Sequence, residues 1–190
     1  MSETCDRALI ERLRARDAAA FDEIYARFNA RLFSFLVRLS RDHDRAQDLL
    51  EETWLRLVSN ADRLRPDTTL GPWLFTVARN LYLSECRARV LEQSDEALVA
   101  HVSPAPSPFE ELAATESHRR LEAALASLPL IHREALLLVG VEGMSITEAA
   151  AVCGVSNDTL RQRLSRGRAM LAERMASATL PHLREREVIP

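Results

Sequence analysis

The chain has 190 residues, 47% of them hydrophobic and 28% charged, with a formal net charge of −3 at pH 7. Such a chain can bury one moderate core or two small ones, and it lacks an apolar run long enough to cross a bilayer, which excludes membrane insertion. The three cysteines are far apart and no histidine cluster accompanies them, so we expect no disulfide framework, no metal site and no cofactor. No basic segment followed by an apolar run opens the sequence, which favours a cytoplasmic protein.

Helical patterns dominate the first 92 residues. Few glycines and no alternating Val/Ile/Thr runs favour an all-α fold. Apolar residues at helical spacing predict helices over residues 6–17, 18–39 and 44–64. In the third helix, Trp54 and Val58 belong to a broad apolar face. The opposite face carries the polar residues Asp48, Glu51, Glu52 and Arg56. A face of this kind is either solvated or docks a partner.

A polar loop separates the third predicted helix from a fourth. Arg65-Pro66-Asp67 ends the third helix, and residues 66–72 are predicted to form a loop with Thr68 and Thr69. The fourth helix, over residues 73–90, begins with Trp73 on its apolar side. Its polar side chains include Arg79, Asn80 and Arg87. Rings that stack on bases and arginines that meet phosphates suit single-stranded DNA, whereas the alternative is a core tryptophan with surface arginines.

Charge is distributed unevenly along the chain. Residues 93–118 contain five acidic residues and no arginine, and they include the run SPAPSP, which has no helical period. We therefore expect a flexible acidic linker over residues 93–108 between two small helical domains, residues 1–92 and 109–176. The tail, residues 177–190, is expected to fray.

The second domain is predicted to contain four helices, of which the last two form a helix-turn-helix. Leu128-Pro129 separates helices expected over residues 109–127 and 131–141. Ser145 and Glu148 have capping-box spacing at the start of the next helix, and Gly154 stands where the chain leaving that helix favours a left-handed residue. Ser156 then provides an N-cap for the last helix.

The last helix is basic and amphipathic. Leu160, Leu164 and Leu171 form its buried stripe, and Gly167 within it costs about 1 kcal/mol relative to Ala. The opposite side and its flanks carry Asp158, Thr159, Arg161, Gln162, Arg163, Ser165, Arg166 and Arg168. This layout predicts a recognition helix that reads base edges in a major groove and neutralises phosphates, with a solvated Arg-rich face as the alternative.

Three segments, in this order, resemble the extracytoplasmic-function (ECF, group IV) sigma factors of bacterial RNA polymerase over nearly the whole chain. DLLEETWLRLVSNADRLRP resembles the polymerase-docking helix of region 2.2, and PWLFTVARNLYLSECRAR resembles the −10 reader of regions 2.3–2.4. LPLIHREALLLVGVEGMSITEAAAVCGVSNDTLRQRLSRGRAML resembles region 4. The resemblance implies a non-enzymatic protein that binds core polymerase, directs it to −35 and −10 promoter elements and helps to melt the start site.

The resemblance also implies a partner for each candidate site. Core RNA polymerase, through its β′ and β subunits, would be met at Asp48, Glu51, Glu52, Trp54 and Arg56. An extruded −10 base would be captured by Asp67, Thr68, Thr69, Trp73, Arg79, Asn80 and Arg87. The −35 duplex would be read by the polar residues of the last helix between Asp158 and Arg168. An anti-sigma factor is a further implied partner, and the acidic linker would thread the basic channels of the polymerase.

Two other interpretations stay open at this point. A helix-turn-helix regulator that acts without polymerase would not need the polar face between Asp48 and Arg56. A sigma-like decoy would bind an anti-sigma factor and leave polymerase inactive at every promoter. Asp158 is compatible with the decoy, because an acid in a reading helix repels phosphate, although it can also accept a hydrogen bond from a cytosine amino group.

Overall fold

The computed structural model describes residues 2–93 and 116–177, and within these ranges the chain is helical and contains no strand. The all-α prediction is therefore confirmed. The chain divides into two compact units, residues 1–104 and 105–190. The expected linker after Gln93 and the expected tail after Ser177 lie outside the described residues. Among the described helices, none has both the length and the apolar character that crossing a membrane requires.

In the first unit, the described residues 2–93 form four α-helices. They are α1 (Ser2–Arg14), α2 (Ala18–Ser40), α3 (His43–Asn60) and α4 (Leu70–Gln93), with a 3-10 turn at Ala61–Arg63. Helix α2 is central, because α1, α3 and α4 all pack against it. Its buried stripe includes Phe28, Leu32 and Phe35, and the Phe35 ring meets that of Phe75 from α4 edge to face, with centroids 5.1 Å apart. One core thus holds the four helices together.

Several helix boundaries in this unit differ from the sequence prediction, among them the start of α1 at Ser2 and the end of α4 at Gln93. Helix α1 ends at Arg14 because Asp17 serves instead as the N-cap of α2, accepting from the Ala19 N–H at 2.9 Å. Helix α3 ends at Asn60 and continues only as the 3-10 turn. Helix α4 begins at Leu70 rather than Trp73, so that Gly71 and Pro72, predicted in the loop, form its first turn; a proline fits there because its missing N–H would have no helical partner.

In the second unit, the described residues 116–177 also contain four α-helices. They are α5 (Glu116–Ala126), α6 (Leu130–Leu136), α7 (Ile146–Cys153) and α8 (Asn157–Ser177). A π-helical segment, Leu137–Val141, extends α6, so the chain is helical over the predicted residues 131–141 and changes its hydrogen-bonding pattern at Leu137. Residues 109–115, expected at the start of α5, lie outside the described residues. Leu138, Ala149 and Leu160, each fully buried, join α6, α7 and α8 in one core.

The helix-turn-helix has the predicted caps. Ser145 Oγ accepts from the Glu148 N–H at 3.2 Å, and Glu148 Oε2 accepts from the Ser145 N–H at 2.9 Å, which completes the capping box. Gly154 has φ of 65°, the left-handed conformation that glycine adopts at little cost. Ser156 Oγ accepts from the Thr159 N–H at 3.2 Å at the start of α8. These caps fix where α7 ends and α8 begins.

Gly167 has a packing role that helix propensity does not show. A Cβ at this position would lie 3.2 Å from Leu136 Cδ1 and 3.3 Å from both Cβ and the carbonyl oxygen of His132. Helix α8 therefore crosses α6 so closely that a side chain at Gly167 would require Leu136 or the backbone at His132 to shift by a few tenths of an ångström. The absence of a side chain at this point allows α8 to sit close to α6.

Candidate nucleic-acid interface

Helix α8 presents one polar side to solvent. At about 100° per residue, Gln162 projects opposite the side where Leu160, Leu164 and Gly167 are buried. The predicted reading residues on this outer side are exposed, namely Asp158, Arg161, Gln162, Ser165, Arg166 and Arg168. The hydrogen-bonding groups of these residues, three of which are arginines, are thus accessible, as contact with a DNA groove requires.

Arg163 differs from the other predicted reading residues. Its Nη1 donates to Glu134 Oε1 at 3.1 Å, and the two side chains are only 19% and 1% exposed. Its backbone carbonyl lies 3.0 Å from the Nδ1 of His132. Arg163 projects beside the buried stripe, so it joins α8 to α6 rather than lying on the outer face.

The first turn of α8 is held by local contacts. Arg161 Nη1 donates to Asp158 Oδ1 at 2.8 Å, and both side chains are well exposed. Thr159 is half-buried and its hydroxyl shares a 2.9 Å hydrogen bond with Ser156 Oγ. Asp158 offsets the charge of Arg161, and its carboxylate interacts favourably with the positive end of the helix dipole at the N-terminus of α8. The net positive charge of the exposed side therefore comes mainly from Arg166 and Arg168.

The loop before α4 is pre-formed. Arg65 donates from Nε to Asp67 Oδ1 at 3.0 Å and from Nη2 to Asp67 Oδ2 at 2.8 Å. These hydrogen bonds lower the pKa of the Asp67 carboxyl, which therefore stays ionised. The Thr68 N–H donates to the Arg65 carbonyl at 3.0 Å, and the Trp73 N–H donates to the Thr69 carbonyl at 3.2 Å. The loop thus enters α4 through a defined turn.

Helix α4 continues this surface along one stripe. Trp73, Asn80 and Arg87 are seven residues apart, which places them on one side of the helix with a rise of about 10.5 Å between neighbours. Trp73 is half-buried, while Asn80 and Arg87 are exposed. Arg79 projects about 100° away from Asn80 and lies off this stripe. The structure therefore brings together three of the four predicted α4 residues.

Asp6 on α1 anchors the same region and was not recognised from the sequence as a site residue. Its carboxylate accepts from the backbone N–H of Leu70, the first residue of α4, at 3.0 Å. The other oxygen accepts from Arg27 Nη1 at 2.7 Å. Because the contact with Leu70 spans 64 residues, no local sequence pattern could have indicated it.

The polar face of α3 lies on the surface. Asp48, Glu51 and Arg56 are exposed and Glu52 is half-buried. Glu51 accepts from Gln47 Nε2 at 2.8 Å, and Glu52 accepts from Arg56 Nε at 2.7 Å. These residues offer a partner both acidic and basic groups without any rearrangement of the core.

Trp54, grouped with that polar face by resemblance, lies on the other side of α3. It is 7% exposed, and its indole N–H donates to Asn29 Oδ1 at 3.0 Å. Its ring contacts those of Phe21 and Tyr25, with centroid distances of 5.8 Å and 5.0 Å. Trp54 therefore packs α3 against α2 and lies on the side of α3 away from its polar face.

Two aliphatic side chains on α3 are exposed to solvent. Leu55 is 61% exposed and lies on the same side of α3 as Asp48 and Glu52, seven residues after the first and three residues after the second. Val58, predicted on the apolar face, is 56% exposed because it lies at the edge of that face, about 100° from the fully buried Leu57. The outer surface of α3 is thus a mixed apolar and charged patch, which periodicity alone did not reveal.

The first unit has an ordered loop before α4, and the second unit has a helix-turn-helix formed by α7 and α8. Together these features are typical of a DNA-binding transcription protein. Residues 24–91 match the family model of sigma-70 region 2, and residues 118–171 match that of sigma-70 region 4. The candidate −10 surface lies in the first match, and α8 as far as Leu171 lies in the second.

Individual relatives give the same result. The chain is 39% identical over 143 residues to the ECF RNA polymerase sigma factor EcfG of Rhodopseudomonas palustris (strain TIE-1), covering 74% of this chain and 77% of EcfG. It is 33% identical to the RNA polymerase sigma factor CarQ of Myxococcus xanthus, covering 90% of this chain and 98% of CarQ.

Solved structures share the architecture. The sigma factor RpoE from Bartonella quintana, determined in complex with the anti-sigma factor NepR, matches with a TM-score of 0.71 and 30% identity, covering 82% of this chain and 96% of RpoE. CnrH, determined in complex with the cytosolic domain of CnrY, matches with a TM-score of 0.69 at 23% identity, covering 90% and 97%, which supports the fold alone.

The chain belongs to the ECF sigma factors of the sigma-70 family. It is an alternative sigma factor that directs promoter-specific transcription, and its class consists of transcription regulators rather than enzymes. The matches to both regions leave the polymerase-independent regulator and the decoy without support.

Proposed function

We propose that the chain performs this role through three separate surfaces: the outer side of α8, the loop before α4 together with the α4 stripe, and the polar face of α3. The observation that carries the proposal is the division of α8 into a side locked onto α6 and an outer side with exposed arginines. In this arrangement the protein has no catalytic step of its own, and it acts in the cytoplasm with the polymerase.

The outer side of α8 reads the −35 duplex. Arg166 and Arg168 can donate hydrogen bonds to phosphates or to guanine edges, and Gln162 can form hydrogen bonds with adenine in the major groove. Ser165 lies between them on the exposed side. The Asp158–Arg161 pair, at 2.8 Å, orients the Arg161 guanidinium at the start of the helix.

The loop before α4 captures an unpaired base of the −10 element. Its ionised Asp67 accepts hydrogen bonds from an exocyclic amino group, and the half-buried Trp73 provides a ring edge beside the loop. Asn80 and Arg87 extend the surface along the strand that follows. Flipping a base costs a few kcal/mol, which pre-formed contacts of this kind can offset.

The polar face of α3 docks on core polymerase. Exposed carboxylates at Asp48 and Glu51 can pair with arginines of a partner helix, and Leu55 supplies an apolar contact one turn after Glu51. An anti-sigma factor is a second partner of this protein by analogy with the relative RpoE, whose structure was solved in complex with NepR. The acidic linker would lie in the basic channels of the polymerase.

Alanine variants on α8 test the proposed −35 interface. We expect Arg166→Ala to weaken binding of holoenzyme to the −35 duplex of a mapped promoter by about tenfold and to reduce the salt dependence of binding. Arg174→Ala is the matched control, because Arg174 is an exposed arginine of the same helix on a different side. Equal losses in both variants would mean that α8 attracts DNA only through its overall charge.

A further inference from the structure

Asp6 is a buried carboxylate with two different partners. It is 2% exposed, and its oxygens accept from Arg27 Nη1 at 2.7 Å and from the Leu70 N–H at 3.0 Å. A carboxylate taken out of water is tolerated when both oxygens are hydrogen-bonded and a cation is near, and both conditions hold here. The residue therefore joins α1, α2 and the start of α4.

The Leu70 contact is a helix cap supplied from a distant part of the chain. The first N–H groups of a helix have no partner within that helix, and a carboxylate beside them also interacts favourably with the helix dipole. In most helices the residue just before the first turn supplies such a cap. At α4 the acceptor is Asp6 of α1, so the direction in which α4 begins depends on the position of α1.

Neighbouring packing holds the same turn. Leu70 is fully buried, and a Cβ on Gly71 would lie 3.4 Å from Phe28 Cε1, so the backbone at Gly71 lies close to that ring. The Arg27 guanidinium lies 4.9 Å from the centroid of the same Phe28 ring. Asp6, Arg27 and Phe28 thus form a single support beneath the first turn of α4.

The support determines where the loop before α4 ends. Leu64 and Leu70 are both buried, whereas the five residues between them are exposed or half-buried. The Leu64 N–H donates to the Asn60 carbonyl at 3.1 Å, which attaches the first end of the loop to α3. The second end depends on Leu70, whose N–H is held by Asp6.

We propose that Asp6 is a positioning residue for −10 recognition: by capping Leu70 it sets the position of the loop that carries Asp67, Thr68 and Thr69. Asp6 is buried and does not itself meet DNA. The inference rests on the proposed function of the loop in base capture. Loss of the cap lets the loop and the first turn of α4 adopt several positions, so a base would bind at the cost of ordering them.

Two substitutions of similar size isolate the cap. Asp6→Asn and Asp6→Leu both remove the charge that pairs with Arg27, but only Asn keeps an oxygen that can accept from the Leu70 N–H. Arg27→Met is added to both in a second pair of variants, so that no arginine is left without its carboxylate and folding is preserved. Arg7→Ala is the surface control on α1, because Arg7 forms only an exposed pair with Glu11, at 3.1 Å.

The measurement is binding of holoenzyme to fluorescein-labelled single-stranded DNA. The oligonucleotide carries the −10 segment of a promoter mapped with the wild-type protein, and each position is replaced in turn by an abasic site. For each position, the affinity for the intact oligonucleotide divided by the affinity for the abasic oligonucleotide reports how strongly that base is captured. Duplex −35 binding and the thermal midpoint are recorded for every variant.

We expect Asp6→Leu to lower this ratio by about five- to thirtyfold at the captured position, the equivalent of one lost cap. Asp6→Asn should stay close to wild type, and −35 binding should be unchanged in both. If Asp6→Leu and Asp6→Asn gave equal ratios, both as single variants and together with Arg27→Met, the proposed role of Asp6 would be overturned while base capture by the loop would stand. A wild-type ratio of one at every position would instead refute base capture by the loop and, with it, the role of Asp6.

Discussion

Replacement of Gly167 by alanine separates helix propensity from packing. Propensity alone predicts that Gly167→Ala stabilises α8 by about 1 kcal/mol, because alanine loses less backbone entropy on folding. The structure predicts the opposite, since the new Cβ would lie 3.3 Å from the His132 carbonyl oxygen and 3.2 Å from Leu136 Cδ1. The leucine can turn away, but the carbonyl belongs to the backbone of α6 and moves only with that helix.

The magnitude follows from these two opposing terms. Insertion of a methyl group into a well-packed contact costs about 1–3 kcal/mol, and about 1 kcal/mol of this is recovered from propensity. We therefore expect a net loss of about 1 kcal/mol, which for a unit of this size lowers the thermal midpoint by about 4–8 °C. The outer face of α8 should also shift relative to α6, so binding of the −35 duplex should weaken together with stability.

The assay needs a signal for each unit. Both tryptophans lie in the first unit, so tryptophan fluorescence follows that unit alone, while far-ultraviolet circular dichroism follows both. Gly140→Ala is the matched control, because a Cβ at Gly140 would meet nothing within 4 Å. An unchanged or raised circular-dichroism midpoint in Gly167→Ala would refute the packing argument, as would an equal loss in Gly140→Ala.

Three further outcomes are expected. Glu134→Ala removes one member of a buried ion pair and should cost about 3 kcal/mol, measured by chemical denaturation of the second unit; a loss below about 0.5 kcal/mol would show that the pair does not hold α8. Leu55→Ser should weaken binding to core polymerase by about tenfold at unchanged stability, whereas Val90→Ser, which alters an aliphatic side chain that is 67% exposed on α4, should have no effect; equal effects would argue against α3 as the docking helix. The pKa of Asp17 is lowered by hydrogen bonds from Arg12 and from the Ala19 N–H, so its stabilising contribution is present above about pH 4 and is lost as the pH falls through the folded pKa. The stability difference between wild type and Asp17→Asn should therefore shrink as the pH falls below about 4, and a constant difference would contradict this.

Local signals explain what the sequence could predict. The capping box of Ser145 and Glu148 and the left-handed Gly154 each depend on residues a few positions apart, so their pattern is visible in the sequence. The burial of Leu160 and Leu164 on α8 was likewise visible from their spacing, whereas Leu171, predicted in the same stripe, is only half-buried. These features are sufficient to define a helix-turn-helix and the polar side of its second helix.

Non-local contacts explain what it could not. The cap of Leu70 comes from Asp6, and the need for glycine at position 167 comes from His132 on another helix. Arg163 shows the same limit, because its position at the flank of α8 fits either DNA or a buried partner until Glu134 is placed beside it. Periodicity gives the direction of a side chain, but only the packed structure shows what lies there.

Run-off transcription tests the central claim most directly. Genomic fragments are transcribed by core RNA polymerase with and without the protein, and with an Arg161→Ala/Arg166→Ala double variant. The account predicts discrete promoter-specific transcripts with the wild-type protein and their loss with the variant, while binding of the variant to core polymerase is retained. Transcripts that are identical with the wild type and the variant would contradict promoter reading by α8, and the absence of transcripts despite stable core binding would contradict the function itself.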